Sequence, residues 1–155
     1  MQATIILGSK SDRLIADKVE EVLKEFGIEY EIRVASAHRT PELVKEIVEK
    51  SNAEVFIAIA GLSAALPGAV ASLTTKPVIG VPVSGKLNID SILSIVQMPP
   101  GIAVATVGLD NGTNAGLLAV QMLALKDKKL QEKFIDSRKK MKEKILEDDQ
   151  EVRKI

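Results

Sequence analysis

A chain of 155 residues is the size of a single domain and long enough to bury one real core; 46% of it is apolar and only 3% aromatic, so that core must be aliphatic. Lys plus Arg and Asp plus Glu both number 21, a balance that leaves no basic footprint for nucleic acid or a membrane, and the few aromatics remove base-stacking platforms. The chain has no cysteine and a single histidine, which excludes disulfides, thiolate chemistry and thiolate metal sites and makes a zinc site unexpected.

Ala3 to Leu7 is a short β-branched run that stops at Gly8. From Arg13 to Phe26 the apolar residues Ile15, Val19, Val22 and Phe26 recur at helical spacing, with Gly27 as the stop. Glu29 to Ala35 reads as a second strand. Pro41 opens a helix whose buried face is Leu43, Val44, Ile47 and Val48. Val55 to Ala60 is a third, fully buried strand. The small residues from Ser63 to Leu73 allow a helix to pack closely on the sheet. Pro77 to Val83 is a fourth strand, Asp90 to Val96 a short helix, Ala103 to Leu109 a fifth strand and Asn114 to Leu125 a buried helix. This alternation predicts a parallel sheet covered on both faces, with a flavodoxin-like order as the simplest topology.

Residues 1–126 thus read as one α/β catalytic domain. Residues 127–155 differ in kind: they are strongly charged, with Leu130, Phe134, Met141 and Ile145 as a narrow apolar stripe. Such a helix either closes the chain's own core or docks on a neighbouring subunit. No apolar run is long enough to span a bilayer, and Met1 leads into the first strand without a basic prefix. A soluble cytoplasmic protein is the expectation.

Ligands of open parallel sheets bind beyond the carboxyl ends of the strands, so the polar residues just after each strand are the candidates. They are Gly8-Ser9-Lys10-Ser11-Asp12, Ser36-Ala37-His38-Arg39-Thr40-Pro41, Gly61-Leu62-Ser63 and Ser84-Gly85-Lys86. The set is rich in hydroxyls and cations and poor in carboxylates, and three of the turns lead into a helix start, where backbone N–H groups favour an anion. Each turn also has a plainer reading. Ser11 or Asp12 caps a helix, Ser63 caps another, and the Ala/Gly content near it serves packing. His38 is the least easily explained away, being the only histidine and adjacent to Arg39.

Taken together, GSKSD (8–12), SAHRTP (36–41), ALPG (65–68), PVIGVPV (77–83), DSILSIVQMPPGI (90–102) and NAGLLAVQMLAL (114–125) closely resemble the N5-carboxyaminoimidazole ribonucleotide mutase family, the catalytic subunit of phosphoribosylaminoimidazole carboxylase. SAHRTP and SIVQMP are specific to that family, and the match runs from Ile5 to about Asp127. The resemblance implies a flavodoxin-like five-stranded fold with an extra C-terminal helix, assembly as a homo-octamer through that helix, and a part in de novo purine synthesis. It also implies a ribonucleotide substrate, no cofactor or metal, no nucleic-acid or membrane partner, and an ATP-dependent carbamate-forming synthetase upstream. His38 would be the proton-transfer group. Ser9, Ser36 and Arg39, helped by backbone amides, would hold the phosphate and Asp12 the ribose. Ser63 and the Ala64–Ala65 turn would enclose the migrating carbon dioxide, and Gly61, Ser63, Ala65 and Leu66 would all bind substrate.

Two positions depart from the family pattern. Ala65 stands where a second active-site histidine is usual, and the loop Lys86-Leu87-Asn88-Ile89 is one residue short and lacks a glycine. The Gly61-x-Ser63-x-x-Leu66 arrangement is similar to the related class that carboxylates aminoimidazole ribonucleotide directly with carbon dioxide. Direct carboxylation therefore stands as the alternative to the mutase reaction. A signalling receiver would need a carboxylate where Ala60-Gly61 stands, and a flavin site would need aromatic side chains that the chain lacks.

Overall fold

The computed structural model describes residues 1–154. Within them, strands and helices alternate as β1 (Ala3–Leu7), α1 (Arg13–Phe26), β2 (Tyr30–Val34), α2 (Pro41–Lys50), β3 (Val55–Ala60), α3 (Leu66–Ser72), β4 (Val78–Pro82), α4 (Asn88–Val96), β5 (Ala105–Thr106), α5 (Gly112–Ala124) and α6 (Lys128–Val152). A single 3-10 turn, Lys10–Asp12, joins β1 to α1. All strands are parallel, in the order β2-β1-β3-β4-β5. This is the flavodoxin-like topology that the alternation predicts.

The three central strands are buried at every residue, which is why each reads as a nearly continuous apolar run, broken only by Thr4, whose hydroxyl pairs with that of Ser51. One face, with Ile5, Leu7, Ile57 and Ile59, packs under α1, α5 and the start of α6; the other, with Ile6, Phe56 and Ala58, packs under α2, α3 and α4. Helix α1 buries Ile15, Val19, Val22, Leu23 and Phe26 and ends at Gly27, whose φ of 74° is left-handed. Small residues set the layer spacing. A Cβ on Gly116 of α5 would come within 2.8 Å of Val22 Cβ on α1. One on Gly80 of β4 would collide with Ile95 of α4. Among the described residues no helix is long and apolar enough to cross a membrane.

Two expectations are refined. The fifth strand, expected over Ala103 to Leu109, pairs regularly only at Ala105 and Thr106. Val107 and Asp110 still donate to Gly80 and Pro82 of β4, but three steps on this edge are set against two on β4, so the ladder breaks. Asp110 takes a positive φ of 55° at the break.

The apolar stripe of the C-terminal helix divides in two. Asp127 caps α6 by accepting from Leu130 N at 3.1 Å. Leu130 is buried in the chain's own core, and the Phe134 ring lies 5.8 Å from that of Phe26. Met141 and Ile145, further along, are 49% and 67% exposed.

Candidate active site

The strand order brings four loops side by side at the carboxyl edge of the sheet: Ser36–Thr40 after β2, Gly8–Asp12 after β1, Gly61–Ala65 after β3 and Val83–Lys86 after β4. They border one cavity of about 610 Å³. Ser9, Asp12, Ser36, His38, Arg39, Gly61, Ser63, Ala65 and Leu66, separated by up to dozens of residues in sequence, all line it.

One device recurs in all four loops. The backbone N–H of a serine is held by a downstream side-chain oxygen: Ser9 N by Asp12 Oδ2 at 3.0 Å, Ser36 N by Thr40 Oγ1 at 2.9 Å, Ser63 N by Asp90 Oδ2 at 2.8 Å and Ser84 N by Asp110 Oδ1 at 2.8 Å. The backbone is pinned and the serine side chains line the cavity. The backbone amides expected to help hold a phosphate are therefore not those of the four serines. The amides of these serines are engaged, as are Ser11 N on Ser9 Oγ and Arg39 N on Ser36 Oγ. In the loops after β1 and β2, the amides of Lys10, Ala37 and His38 have no partner among the described residues.

Arg39 spans two loops. Its Nη2 donates to the Gly8 carbonyl at 3.2 Å and its Nε to Ser36 Oγ at 3.4 Å. The guanidinium therefore sits between the ends of β2 and β1, beside Ser9. Asp12 is buried at the same junction, and burial pushes its carboxyl above the usual carboxylate range; hydrogen bonds from Ser11 and Ser9 and the charge of Arg39 pull the other way. Its two oxygens accept from the neutral donors Ser9 N and Ser11 Oγ, an environment suited to hydroxyls. His38 is exposed at the cavity wall, and its imidazole has no hydrogen-bond partner among the described residues.

The loop after β3 forms the facing wall. Ser63 has a positive φ of 46°, which costs a non-glycine residue about 1 kcal/mol or more. Its carbonyl accepts from Ala65 N, closing a tight turn that buries Ala64 and leaves Ala65 toward the cavity. Gly68 of α3 lies under Met98, whose Cε is 3.1 Å from where a Cβ would be. Thus the Gln97-Met98-Pro99 stretch, which passes in sequence for a helix stop, backs the helix next to this loop.

Sequence reasoning noticed Ser84-Gly85-Lys86 at a strand end without assigning it a role; the structure brings all three to the cavity, with Lys86 as its second cation. In sequence Asp90 reads only as the start of a helix, and Asp110 has no role. They act on residues 27 and 26 positions upstream, and nothing local marks them. No cluster of three His, Cys, Asp or Glu side chains placed to hold a metal occurs among the described residues.

Residues 2–144 match the family model described as AIR carboxylase. The chain is 62% identical over 152 residues to the N5-carboxyaminoimidazole ribonucleotide mutase of Methanocaldococcus jannaschii, covering 97% of each. It is 51% identical over 148 residues to the protein of that name from Pyrococcus horikoshii, covering 92% of this chain and 84% of the other. Among solved structures, the crystal structure of Treponema denticola PurE matches with a TM-score of 0.89 at 35% identity, covering 97% of each chain.

Proposed function

The chain belongs to the AIR carboxylase family, and from that membership we infer that it is a mutase of purine biosynthesis, converting N5-carboxyaminoimidazole ribonucleotide to 4-carboxy-5-aminoimidazole ribonucleotide. The observation that carries this reading is the meeting, in one cavity, of an unpartnered His38 with Arg39, Ser9 and the small-residue wall Ser63–Ala65. The 62% identity to a mutase over nearly the whole chain favours the same reaction.

The isomerisation needs a proton twice. As the carbamate C–N bond breaks, carbon dioxide leaves and the exocyclic nitrogen takes a proton. As carbon dioxide adds to the adjacent ring carbon, that carbon loses one. Substrate and product have the same atoms, so one side chain that gives a proton and takes it back is sufficient. His38, the only histidine, has the imidazole chemistry to serve as both acid and base. Arg39 and the hydroxyls of Ser9 and Ser36 hold the phosphate. Asp12, unsuited to an anion, holds ribose hydroxyls. Gly61, Ser63, Ala65 and Leu66 wall in the released carbon dioxide and slow its escape. Lys86, the cavity's second cation, suits the carboxylate.

The assembly we propose is a homo-octamer in the cytoplasm, with residues 1–126 as catalytic domain and the distal part of α6 on a neighbouring subunit. Its support is the exposed run Met141, Ile145, Leu146 and Val152 on a helix whose first turns are already docked. A carbamate substrate is made by carboxylating an amine at the expense of ATP, so a synthetase of that class precedes this enzyme.

Ala65 gives direct carboxylation a specific foothold, because it removes an imidazole that would position the carboxyl group. A single comparison separates the two reactions. The mutase converts the carbamate nucleotide without added bicarbonate and incorporates little labelled carbon dioxide from solution. Turnover of aminoimidazole ribonucleotide with carbon dioxide, and none of the carbamate, would replace the mutase reading by the carboxylase one.

A further inference from the structure

We propose that Asp90 is a positioning residue for this reaction: by accepting the Ser63 amide it holds the loop after β3 in the left-handed turn that walls the carbon dioxide side of the cavity. The proposal rests on the functional reading above and adds to it a residue outside the cavity lining.

Three observations carry it. Ser63 is one of two non-glycine residues at positive φ among those described, so its conformation needs an external cause. Burial does not supply one, since Leu62 is 75% exposed and Ser63 itself is exposed. The Asp90 carboxylate does, at 2.8 Å from Ser63 N. The loops after β1 and β2 are pinned by residues three and four positions on, within the same turn. The loop after β3 is pinned instead from the first turn of α4, across β4. Its shape therefore depends on the seating of α4, which Ile95 fixes by packing where Gly80 leaves room.

A competing explanation is that Asp90, in the first turn of α4, simply complements the helix dipole. The two differ in what they need. A dipole partner needs the negative charge; a clamp needs only an oxygen that accepts. Asp90→Asn keeps the acceptor and loses the charge. Ser63→Gly removes the backbone penalty that the clamp overcomes.

The test is kcat and KM for the carbamate nucleotide in Asp90→Ala, Asp90→Asn and Asp90→Ala/Ser63→Gly, alongside thermal melts. The expected result is a loss of at least tenfold in kcat for Asp90→Ala with KM within threefold, because the phosphate is held by the other loops. Asp90→Asn stays within threefold of wild type, and adding Ser63→Gly to Asp90→Ala recovers at least threefold. Asp90→Ala within threefold of wild type, Asp90→Asn as impaired as Asp90→Ala, or no recovery in the double variant each overturns the proposal. If the wild-type protein converts no carbamate nucleotide, the functional reading fails by itself. Hydrogen exchange at the Ser63 amide then decides the clamp: protection in wild type and Asp90→Asn but not Asp90→Ala sustains it, and equal rates in all three overturn it.

Discussion

At the amino end of the sheet a cavity of about 950 Å³ lies among Ser51, Thr74, Lys76 and Ile102, while the smaller one of about 610 Å³ at the carboxyl end lies among Ser9, His38, Arg39 and Lys86. Around the larger one several polar groups pair with one another. Lys76 Nζ donates to the Ser51 carbonyl at the end of α2 and sits 5.9 Å from the Phe56 ring centre; Ser51 Oγ pairs with Thr4 Oγ1 at 2.8 Å. In the smaller one His38 has no partner among the described residues, and Ser9 and Ser36, whose oxygens accept bonds within their own loops, still have a hydroxyl proton to donate. The difference stems from helix polarity. In a parallel α/β sheet the amino end collects helix C-termini, whose carbonyls attract a cation such as Lys76, while the carboxyl end collects helix N-termini, suited to anions. Volume alone does not make a site; unsatisfied, convergent chemistry does.

This contrast can be attacked from either end. The largest effect is expected from His38→Asn, which removes the proton carrier and roughly preserves volume. Loss of a general acid–base group lowers kcat by about 100-fold to 10,000-fold, with nucleotide affinity within a few-fold of wild type. Steady-state rates and calorimetry read both, and activity within tenfold of wild type would take His38 out of the mechanism.

A smaller effect is expected from Arg39→Ala. A charge-assisted bond to phosphate is worth about 1.5–3 kcal/mol, or roughly tenfold to 150-fold in affinity. The loss is expected for the nucleotide and not for the nucleoside lacking phosphate. Equal losses for both would show that Arg39 shapes the loop, through Gly8 and Ser36, without holding the phosphate.

The smallest effect is expected from Lys76→Met at the other end. It removes a cation bonded to a helix-end carbonyl, so a slightly lower melting temperature and unchanged kcat and KM are expected, the dipole contribution being about 0.3–1 kcal/mol. A tenfold fall in activity would give the amino-end cavity a part in turnover and break the contrast.

Much of this was legible before any coordinates. The bounds of α1 agree with the expected Arg13 to Phe26 because amphipathic spacing and a terminal glycine are both local signals. The sheet class was legible because central parallel strands must be apolar on both faces. The candidate residues were legible as the short polar stretches directly after each strand, since every such loop has to lie at the carboxyl edge of the sheet. The weakest reading was β5, where the break in pairing depends on the neighbouring strand and not on the segment's own residues.

What the sequence by itself determined, then, is the order of elements, the apolar layers, and which short polar stretches stand at strand ends, because these depend on periodicity and on residues a few positions apart. Only the tertiary structure decided how those stretches are held and which of their groups remain available. The clamp of Asp90 on Ser63, that of Asp110 on Ser84, the bridge of Arg39 to Gly8 and the division of α6 into a docked and an exposed part all join residues far apart in the chain. A hydrogen bond is made over about 3 Å of space, whatever the length of chain between its partners, and only the folded arrangement specifies that distance.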